Sequence, residues 1–351
     1  MNSANDKLKQ FVKPQFDPKT VQLLGIIAFI FLVMSILLPG RFATIRNLTS
    51  MGFQFPEFGL LCIGIAMTII TAGADLSIVA IANLSAVVNA IILIQRMPVD
   101  APPATVAMYL ALCVVMTLLI GIVCGCINGF LVGKLNVFPI LATLGTQNLF
   151  AGMAIILTGG IGVYGRVPRT LTYLGSGTIF GIIPVPLVFF LVFLTIVYTL
   201  IHKTPYGLKT QWFGANRIAT FFSGIDNVRT VFTTYLFSAI IGSFAGFLIL
   251  ARTASAKGDY GVTLVLQCLL VAVLGGVSPL GGKGNIFNVF LAVFSIQLIE
   301  TGFNFMRISS YVRASTYGGL LIVSMVLEYV INKLKERREI KASMIYEEKT
   351  S

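Results

Sequence analysis

Ten apolar runs dominate this chain, and most of them have the length of a membrane-crossing helix. A transmembrane helix needs about 20 apolar residues, because backbone polar groups in hydrocarbon must be hydrogen-bonded within the segment. Charged residues make up only 11% of the 351 residues, against about 25% in soluble domains. We therefore predict an all-α polytopic membrane protein of about ten transmembrane helices. The runs are Val21–Leu38, Pro56–Ala72, Leu76–Ile94, Thr105–Val132, Phe138–Leu157, Pro184–Ile201, Val231–Leu250, Val262–Val277, Ile286–Phe305 and Ser315–Ile331.

Basic residues predict the orientation of these spans, because cytoplasmic loops retain Lys and Arg. With ten spans and a cytoplasmic N-terminus, 16 of the 25 Lys and Arg residues lie on the cytoplasmic side. The net charge of +12 then follows from topology and does not predict nucleic-acid binding. We expect a cytoplasmic segment at 1–20, a transmembrane domain at 21–332 with a central cytoplasmic segment at 202–229, and a basic cytoplasmic tail at 333–351.

Ten spans divide into two halves of five that run in opposite directions. Any structural repeat between the halves would be inverted, which is a recurrent design of transporters. The stretches AGADLSIVAIANLSAVV and GGKGNIFNVFLAVFSIQ are faintly similar to each other. We therefore predict two inverted five-helix halves.

Two nucleotide-binding patterns occur without the context that they need. Gly160–Gly165 fits G-x-G-x-x-G, but it follows a membrane span and no strand precedes it. Gly282-Lys283 lacks both the first glycine and the Ser or Thr of a phosphate-binding loop. We predict that the chain is not an enzyme and does not hydrolyse ATP.

Polar side chains within the spans are the candidates for a transport pathway, because such residues are costly in lipid. Uncharged hydroxyls and amides suit a neutral, hydroxylated solute. The alternative is that they join helices by hydrogen bonds, and Asp75 has the further alternative of capping span three. The candidate pathway residues are Asp75, Asn83, Thr143, Thr146, Gln147, Asn148, Gln267 and Glu300.

Four motifs, in order along the chain, resemble the permease subunits of bacterial ABC sugar importers of the ribose, xylose and galactose type. They are GADLSIVAIANLSAVV (73–88), FPILATLGTQNLFAGMAIILTGG (138–160), FGANRIATFFSGIDNVR (213–229) and VLGGVSPLGGKGN (273–285). The chain departs from the family pattern at Val265-Leu266-Gln267, where the family carries Glu-Leu-Asp, and at Gly73-Ala74-Asp75, which has one glycine fewer. These departures leave the solute open.

The resemblance implies a subunit in the bacterial cytoplasmic membrane that carries no cofactor and works with ATP-binding subunits. ATP and Mg²⁺ would be bound on those subunits. Further implied partners are an extracytoplasmic sugar-binding protein and a second permease copy or paralogue. The central cytoplasmic segment would act as a coupling helix in a groove of the ATPase. Its residues would be Gly214, Ala215, Asn216, Ala219, Ser223, Gly224 and Ile225.

The leading hypothesis is a permease for a monosaccharide or related solute that works by alternating access. A nucleoside or autoinducer-2-type ABC importer is the alternative within the same class. An ion-coupled secondary transporter using Asp75 and Glu300 is another class, and a channel or structural protein is a third. A docking helix at 202–229 argues against the third, since a pore has no need of one.

Overall fold

The computed structural model describes residues 17–98, 100–261, 263–326 and 330, and it is almost entirely helical. The helices are α1 (Pro18–Leu37), α2 (Ile45–Ile70), α3 (Ile78–Ala90), α4 (Pro103–Gly129), α5 (Pro139–Thr158), α6 (Arg169–Ser176), α7 (Val185–Lys203), α8 (Pro205–Ala215), α9 (Arg217–Phe222), α10 (Asn227–Thr253), α11 (Leu264–Leu274), α12 (Ile286–Phe305) and α13 (residues 310–326). Short π-helical segments extend α3 and α4, at Ile91–Arg96 and Phe130–Lys134. The predicted tail at 333–351 and most of the segment at 1–20 lie outside the described residues.

Four two-residue strands complete the described structure: β1 (Val163–Tyr164), β2 (Thr178–Ile179), β3 (Ile183–Pro184) and β4 (Ser255–Ala256). Strand β1 pairs antiparallel with β4, and β2 pairs antiparallel with β3.

The helix starts follow local chemistry. Proline occupies the first or second position of α1, α4, α5, α7 and α8, where its missing N–H costs no hydrogen bond. Thr44 caps α2 by accepting a hydrogen bond from the Asn47 backbone N–H. This cap starts α2 eleven residues before the predicted span, and Pro56 is accommodated inside the helix.

The structure confirms an all-α polytopic fold and corrects the number of full spans. Within the described residues, eight helices are long and apolar enough to cross a membrane. The eighth predicted span, Val262–Val277, is the main error, because α11 has only 11 residues. At 1.5 Å per residue it is about 16 Å long, roughly half of the hydrocarbon thickness. The tenth predicted span, Ser315–Ile331, overlaps α13, and its last part lies outside the described residues. The inverted relation of two halves stays a prediction.

Glycines allow close contacts between the helices at the centre of the bundle. A Cβ added at Gly121 or Gly125 of α4 would lie 2.7 Å from a Cα atom of α10. On another side of α10, a Cβ at Gly246 would overlap the Ala82 carbonyl of α3. Small residues let helix backbones approach closely in lipid, where no hydrophobic force draws helices together. These glycines are therefore packing positions, and they leave α2, α3 and α10 the most buried long helices.

The connections between helices gather at two opposite ends of the bundle. One end, the α8–α9 face, contains α8, α9 and the linkers 71–77, 135–138 and 278–285; the Gly282 N–H donates to the Ile70 carbonyl there at 2.9 Å. The other end, the β face, contains the four strands and the segments 159–184, 254–261 and 306–309. That the α8–α9 face is cytoplasmic stays a prediction.

Candidate functional site

The predicted coupling segment forms a pair of short helices that ends in an exposed apolar group. Asn216 separates α8 from α9, and its Oδ1 accepts hydrogen bonds from the backbone N–H groups of Ile218 (3.0 Å) and Ala219 (2.9 Å). This N-cap starts α9 directly after α8. Phe221 and Phe222 are 69% and 83% exposed, and Ile218 is 70% exposed. We call Ile218, Phe221 and Phe222 the aromatic patch.

The other predicted coupling residues shape the turn that follows α9. The Ser223 hydroxyl donates to the Ala219 carbonyl at 2.8 Å, and the Ile225 N–H donates to the Thr220 carbonyl at 3.1 Å. Gly224 has a φ of +76°, which favours glycine. The turn leads into α10, which Asp226 caps by accepting from the Arg229 N–H.

Gly214 and Ala215, at the end of α8, lie in a contact between three backbones. A Cβ at Gly214 would overlap the Ile70 carbonyl oxygen at the end of α2 and the Gly282 N–H. Gly282, with a φ of +78°, would place its own Cβ 2.8 Å from the Ala215 backbone N, and Gly281 would clash with Ala72 in the same way. We call Ile70, Gly214, Gly281 and Gly282 the glycine junction. It joins α8 directly to the end of α2 and to the loop that leads into α12.

A polar cavity of about 430 Å³ opens on the β face, between α2, α10, α11, α12 and α13. Two ion pairs lie in its wall. The Arg252 guanidinium donates to both Glu57 oxygens, at 2.5 and 3.0 Å. The Glu300 carboxylate accepts from Arg313 at 3.2 Å and from the Tyr317 hydroxyl at 2.8 Å. Its further polar lining comprises Gln54, Tyr260, Thr263, Gln267, Gln297, Ser310 and Tyr311.

The segment before α11 forms part of the cavity wall. Residues 254–261 and 263 are not helical, and they connect α10 and β4 to the start of α11. The Asn83 side-chain amide donates to the carbonyls of Gly258 (3.2 Å) and Tyr260 (2.8 Å), and β1 pairs with β4. Irregular backbone at membrane depth is tolerated where protein groups bond it. Asn83, a predicted pathway residue, therefore positions the segment that carries Tyr260 and Thr263 into the cavity.

Three predicted pathway residues belong instead to a buried hydrogen-bond network between α3, α4 and α5. The Thr146 hydroxyl donates to Asn128 Oδ1 at 2.7 Å, and Asn128 Nδ2 donates to Ser77 Oγ at 2.8 Å. Asp75 Oδ1 accepts from Ser77 Oγ at 2.6 Å, and Thr143 donates to the Ala74 carbonyl at 3.0 Å. This network ties the linker 71–77 to α4 and α5.

Gln147 and Asn148 lie away from the cavity, on the outer side of α5. Asn148 is exposed and Gln147 half-buried. Gly145 and Gly152, one turn to either side of Asn148, have open space where a Cβ would stand. Of the predicted pathway residues, only Gln267 and Glu300 line the polar cavity.

Sequence reasoning missed several residues of the polar cavity and of the aromatic patch. Glu57 lies within the predicted second span, and a charge inside a span is a signal that could have found it. Arg252 and Arg313 were assigned to loops, where a basic residue carries no special signal. Phe221 and Phe222 fit one turn of a buried helix equally well, and only the exposed position of α9 reveals them.

Comparison with known proteins places these features in a family. The family described as "Branched-chain amino acid transport system / permease component" matches residues 47–327. The D-allose transport system permease protein AlsC of Escherichia coli (strain K12) is 30% identical over 308 residues, 88% of this chain and 91% of that protein. The autoinducer 2 import system permease protein LsrD of Salmonella paratyphi A (strain ATCC 9150 / SARB42) is 28% identical over 311 residues, 87% of this chain and 90% of that protein. No solved structure gives a significant match.

The matched region begins in the first turn of α2 and ends just beyond α13. It includes the glycine junction, α9 and every residue of the polar cavity. The resemblance to sugar-importer permeases is thereby confirmed. The chain belongs to the ABC permease family described as "Branched-chain amino acid transport system / permease component", whose membrane subunits are not themselves catalytic, carry no cofactor and work with a binding protein and an ATPase that uses the ATP.

Proposed function

We propose that this subunit imports a monosaccharide, or a related small hydroxylated solute, by alternating access driven by partner ATPases. The observation that carries the proposal is the glycine junction, because it joins the exposed α8–α9 pair to α2 and to the loop before α12. The helices α2 and α12 also line the polar cavity on the opposite face. A displacement of α8 therefore reaches two walls of the cavity through direct backbone contact.

The cavity supports a hydroxylated solute. Each hydroxyl of a sugar both donates and accepts a hydrogen bond, and the cavity supplies carboxylate acceptors, guanidinium donors and amides that do both. The rings of Tyr260 and Tyr311 add apolar faces. Two relatives are named for their solutes: AlsC belongs to a D-allose transport system, and LsrD belongs to an autoinducer 2 import system. They support the class of solute without selecting one.

In the proposed cycle the α8–α9 face is cytoplasmic and the aromatic patch docks in a groove of the ATPase. Closure of the ATPases on ATP shifts α8, and the glycine junction passes this shift to α2 and to the 278–285 loop. The β face receives solute from the extracytoplasmic binding protein. A second copy or a paralogue packs against α5, where Gln147 and Asn148 supply polar groups between Gly145 and Gly152.

Replacing Phe222 by Asp is expected to weaken binding of the partner ATPase about thirtyfold. The ring is 83% exposed, so the change leaves the fold intact while it places a charge in the aromatic patch. Loss of a central aromatic contact costs about 2 kcal/mol or more in an interface, roughly thirtyfold in affinity. Co-purification of the ATPase with the tagged permease measures this. Phe180, 92% exposed on the β face, is the matched control, and Phe180→Asp should retain the ATPase. Equal retention by both variants would contradict the docking of α9.

Replacing Gln267 by Leu is expected to reduce solute uptake severalfold without releasing the ATPase. The change keeps the size of the side chain but removes a donor and an acceptor from the cavity wall. Counterflow of labelled solute in proteoliposomes, with binding protein and ATPase present, measures the effect. Gln22→Leu, at an exposed position of α1, is the matched control. Normal uptake by the Gln267→Leu variant would argue against a solute route through the cavity.

An autoinducer-2-type importer is the second candidate. It is favoured by the LsrD relatives, two of which align with 87% and 85% of this chain. Counterflow of labelled D-allose and labelled autoinducer 2 with the cognate binding protein separates the two. Membership of an ABC permease family speaks against the ion-coupled alternative. Uptake that persists after removal of the ATPase and collapses with an uncoupler would restore it.

A further inference from the structure

Asp75 is fully buried, and its two carboxylate oxygens have different surroundings. Oδ1 accepts hydrogen bonds from the Ser77 N–H at 3.0 Å, from Ser77 Oγ at 2.6 Å and from Asn128 Nδ2 at 3.4 Å. Oδ2 has no hydrogen-bond partner among the described residues. One side of the carboxyl group is therefore held firmly in the network, and the other side faces α10.

Two hydroxyls of α10 lie near the carboxyl group, and they too lack hydrogen-bond partners within the described structure. Ser238 lies beside the carboxyl group, and the Tyr235 hydroxyl lies near it, against Gly73. Both residues are fully buried. Three unpartnered oxygen atoms therefore come together at the linker 71–77. Buried polar atoms are nearly always hydrogen-bonded, so this cluster calls for a ligand.

An ionised carboxylate at this place would have no counter-charge. The ion pairs of the described chain involve Glu57, Asp259 and Glu300, but not Asp75. The titratable groups that face Asp75 are Tyr235 from α10 and Cys124 from α4, and neither is cationic. A buried charge without a partner is so costly that the group takes up a proton instead.

A route for the proton leads from the α8–α9 face. A cavity of about 340 Å³ extends from the exposed Asn136 and Arg217 to Gly73 and the buried Tyr235. Asn227 also lines it, and its side-chain Oδ1 is buried without a partner within the described residues. The cavity is thus polar at both ends and large enough to hold water.

We propose that Asp75 is a proton-binding site, which takes a proton onto Oδ2 from water in this cavity and donates it in a hydrogen bond to Ser238. The Tyr235 hydroxyl completes the site between the cavity and the carboxyl group. The step forms an O–H bond at Oδ2 and releases water from a hydronium ion, with no change in oxidation state. The neutral acid ties the linker 71–77 to α10, one short segment away from the glycine junction. This site does not depend on which solute is carried.

Infrared spectroscopy of the full-length permease tests the site directly. A protonated carboxylic acid has a carbonyl stretching band that a carboxylate lacks, and the band shifts when the protein carries ¹³C-labelled aspartate. The wild type should show such a band, and Asp75→Asn should lose it. Ser238→Ala should change its frequency by removing the acceptor. Asp259→Asn, an exposed position paired with Lys257, should leave the band unchanged.

Transport assays give a second readout. The side-chain amide that Asp75→Asn introduces is close in shape to the neutral acid and can place a donor on the side of Ser238, so this variant should retain more uptake than Asp75→Ala. Asp75→Ala leaves Ser77 and Asn128 without their acceptor, and we expect about a tenfold loss. Absence of the labelled band in the wild type, or a band insensitive to Ser238→Ala, would overturn the proposal even if Asp75→Asn fails to fold. Failure of uptake in every reconstituted sample with an intact band would instead count against the proposed function.

Discussion

Gly214→Ala is expected to abolish solute-stimulated ATP hydrolysis and uptake while the ATPase stays bound. The added Cβ would overlap the Ile70 carbonyl oxygen and the Gly282 N–H, so the three backbones of the glycine junction must separate. Overpacking of a tight contact costs about 1–3 kcal/mol, and separation also removes the 2.9 Å hydrogen bond between Gly282 and Ile70. We expect at least about a tenfold loss of stimulated activity, since 1.4 kcal/mol corresponds to tenfold.

The matched control for Gly214→Ala is Gly25→Ala. Gly25 lies in α1, and a Cβ there would meet no atom within 4 Å. Both variants gain the same helix propensity, so a difference between them reports the junction alone. Uptake and ATPase stimulation are measured in proteoliposomes, and co-purification reports ATPase binding. If Gly214→Ala keeps wild-type stimulation of ATP hydrolysis, the glycine junction does not transmit the movement of α8, and the proposed mechanism is wrong.

Arg252→Ala is expected to cause the largest loss of stability among single changes in the cavity wall. The Arg252 side chain is 28% exposed and that of Glu57 only 12%, so the change leaves a nearly buried carboxylate unpaired. Removal of one partner from a buried pair costs about 3–5 kcal/mol, and partial exposure reduces this to about 2 kcal/mol here. Thermal unfolding of the purified permease in detergent measures the loss.

A double variant separates the pair from the cavity around it. Arg252→Gln combined with Glu57→Gln removes both charges, and it should be more stable than Arg252→Ala because no charge is left unpaired. Lys257→Ala is the control, since Lys257 and Asp259 are about half exposed and their pair is worth less than about 1 kcal/mol. Equal unfolding temperatures for Arg252→Ala and the double variant would show that the Glu57 charge is not the cause.

Two spans were predicted to within one residue at each end. The run Phe138–Leu157 differs from α5 by one residue at each end, and Ile286–Phe305 coincides with α12. Here local hydropathy and the cost of unsatisfied backbone in lipid lead to the same structure as the tertiary fold. The start of α2 was missed because its first turns are held by the Thr44 cap and carry polar residues.

The eighth predicted span is one that local hydropathy predicted wrongly. Its composition is as apolar as that of its neighbours, yet its helix, α11, covers only Leu264–Leu274. The irregular segment that precedes it is bonded by Asn83, about 175 residues away, and by β1, about 90 residues away. Hydropathy is a local property, so it carries no record of such partners.

The candidate site was also predicted only in part from the sequence. The motif FGANRIATFFSGIDNVR predicts the coupling segment, and the Asn216 cap follows from local chemistry. The pathway residues were chosen only as polar residues in lipid, and that criterion cannot tell which face of a helix each one occupies. In the structure Thr143 and Thr146 bond α5 to the linker 71–77 and to α4, whereas Gln267 and Glu300 line the cavity. The pathway roles of these residues stay predictions.

By itself the amino-acid sequence determined that the chain is a helical membrane protein, because most of its apolar runs are long enough to cross a bilayer, where each segment must satisfy its own backbone. The sequence also predicts a central docking element. Only the tertiary structure decided that Gly214 touches the end of α2, that Glu57 pairs with Arg252, and that Asp75 meets two hydroxyls of α10. These contacts join residues far apart in the chain, and their partners are selected by how whole helices pack.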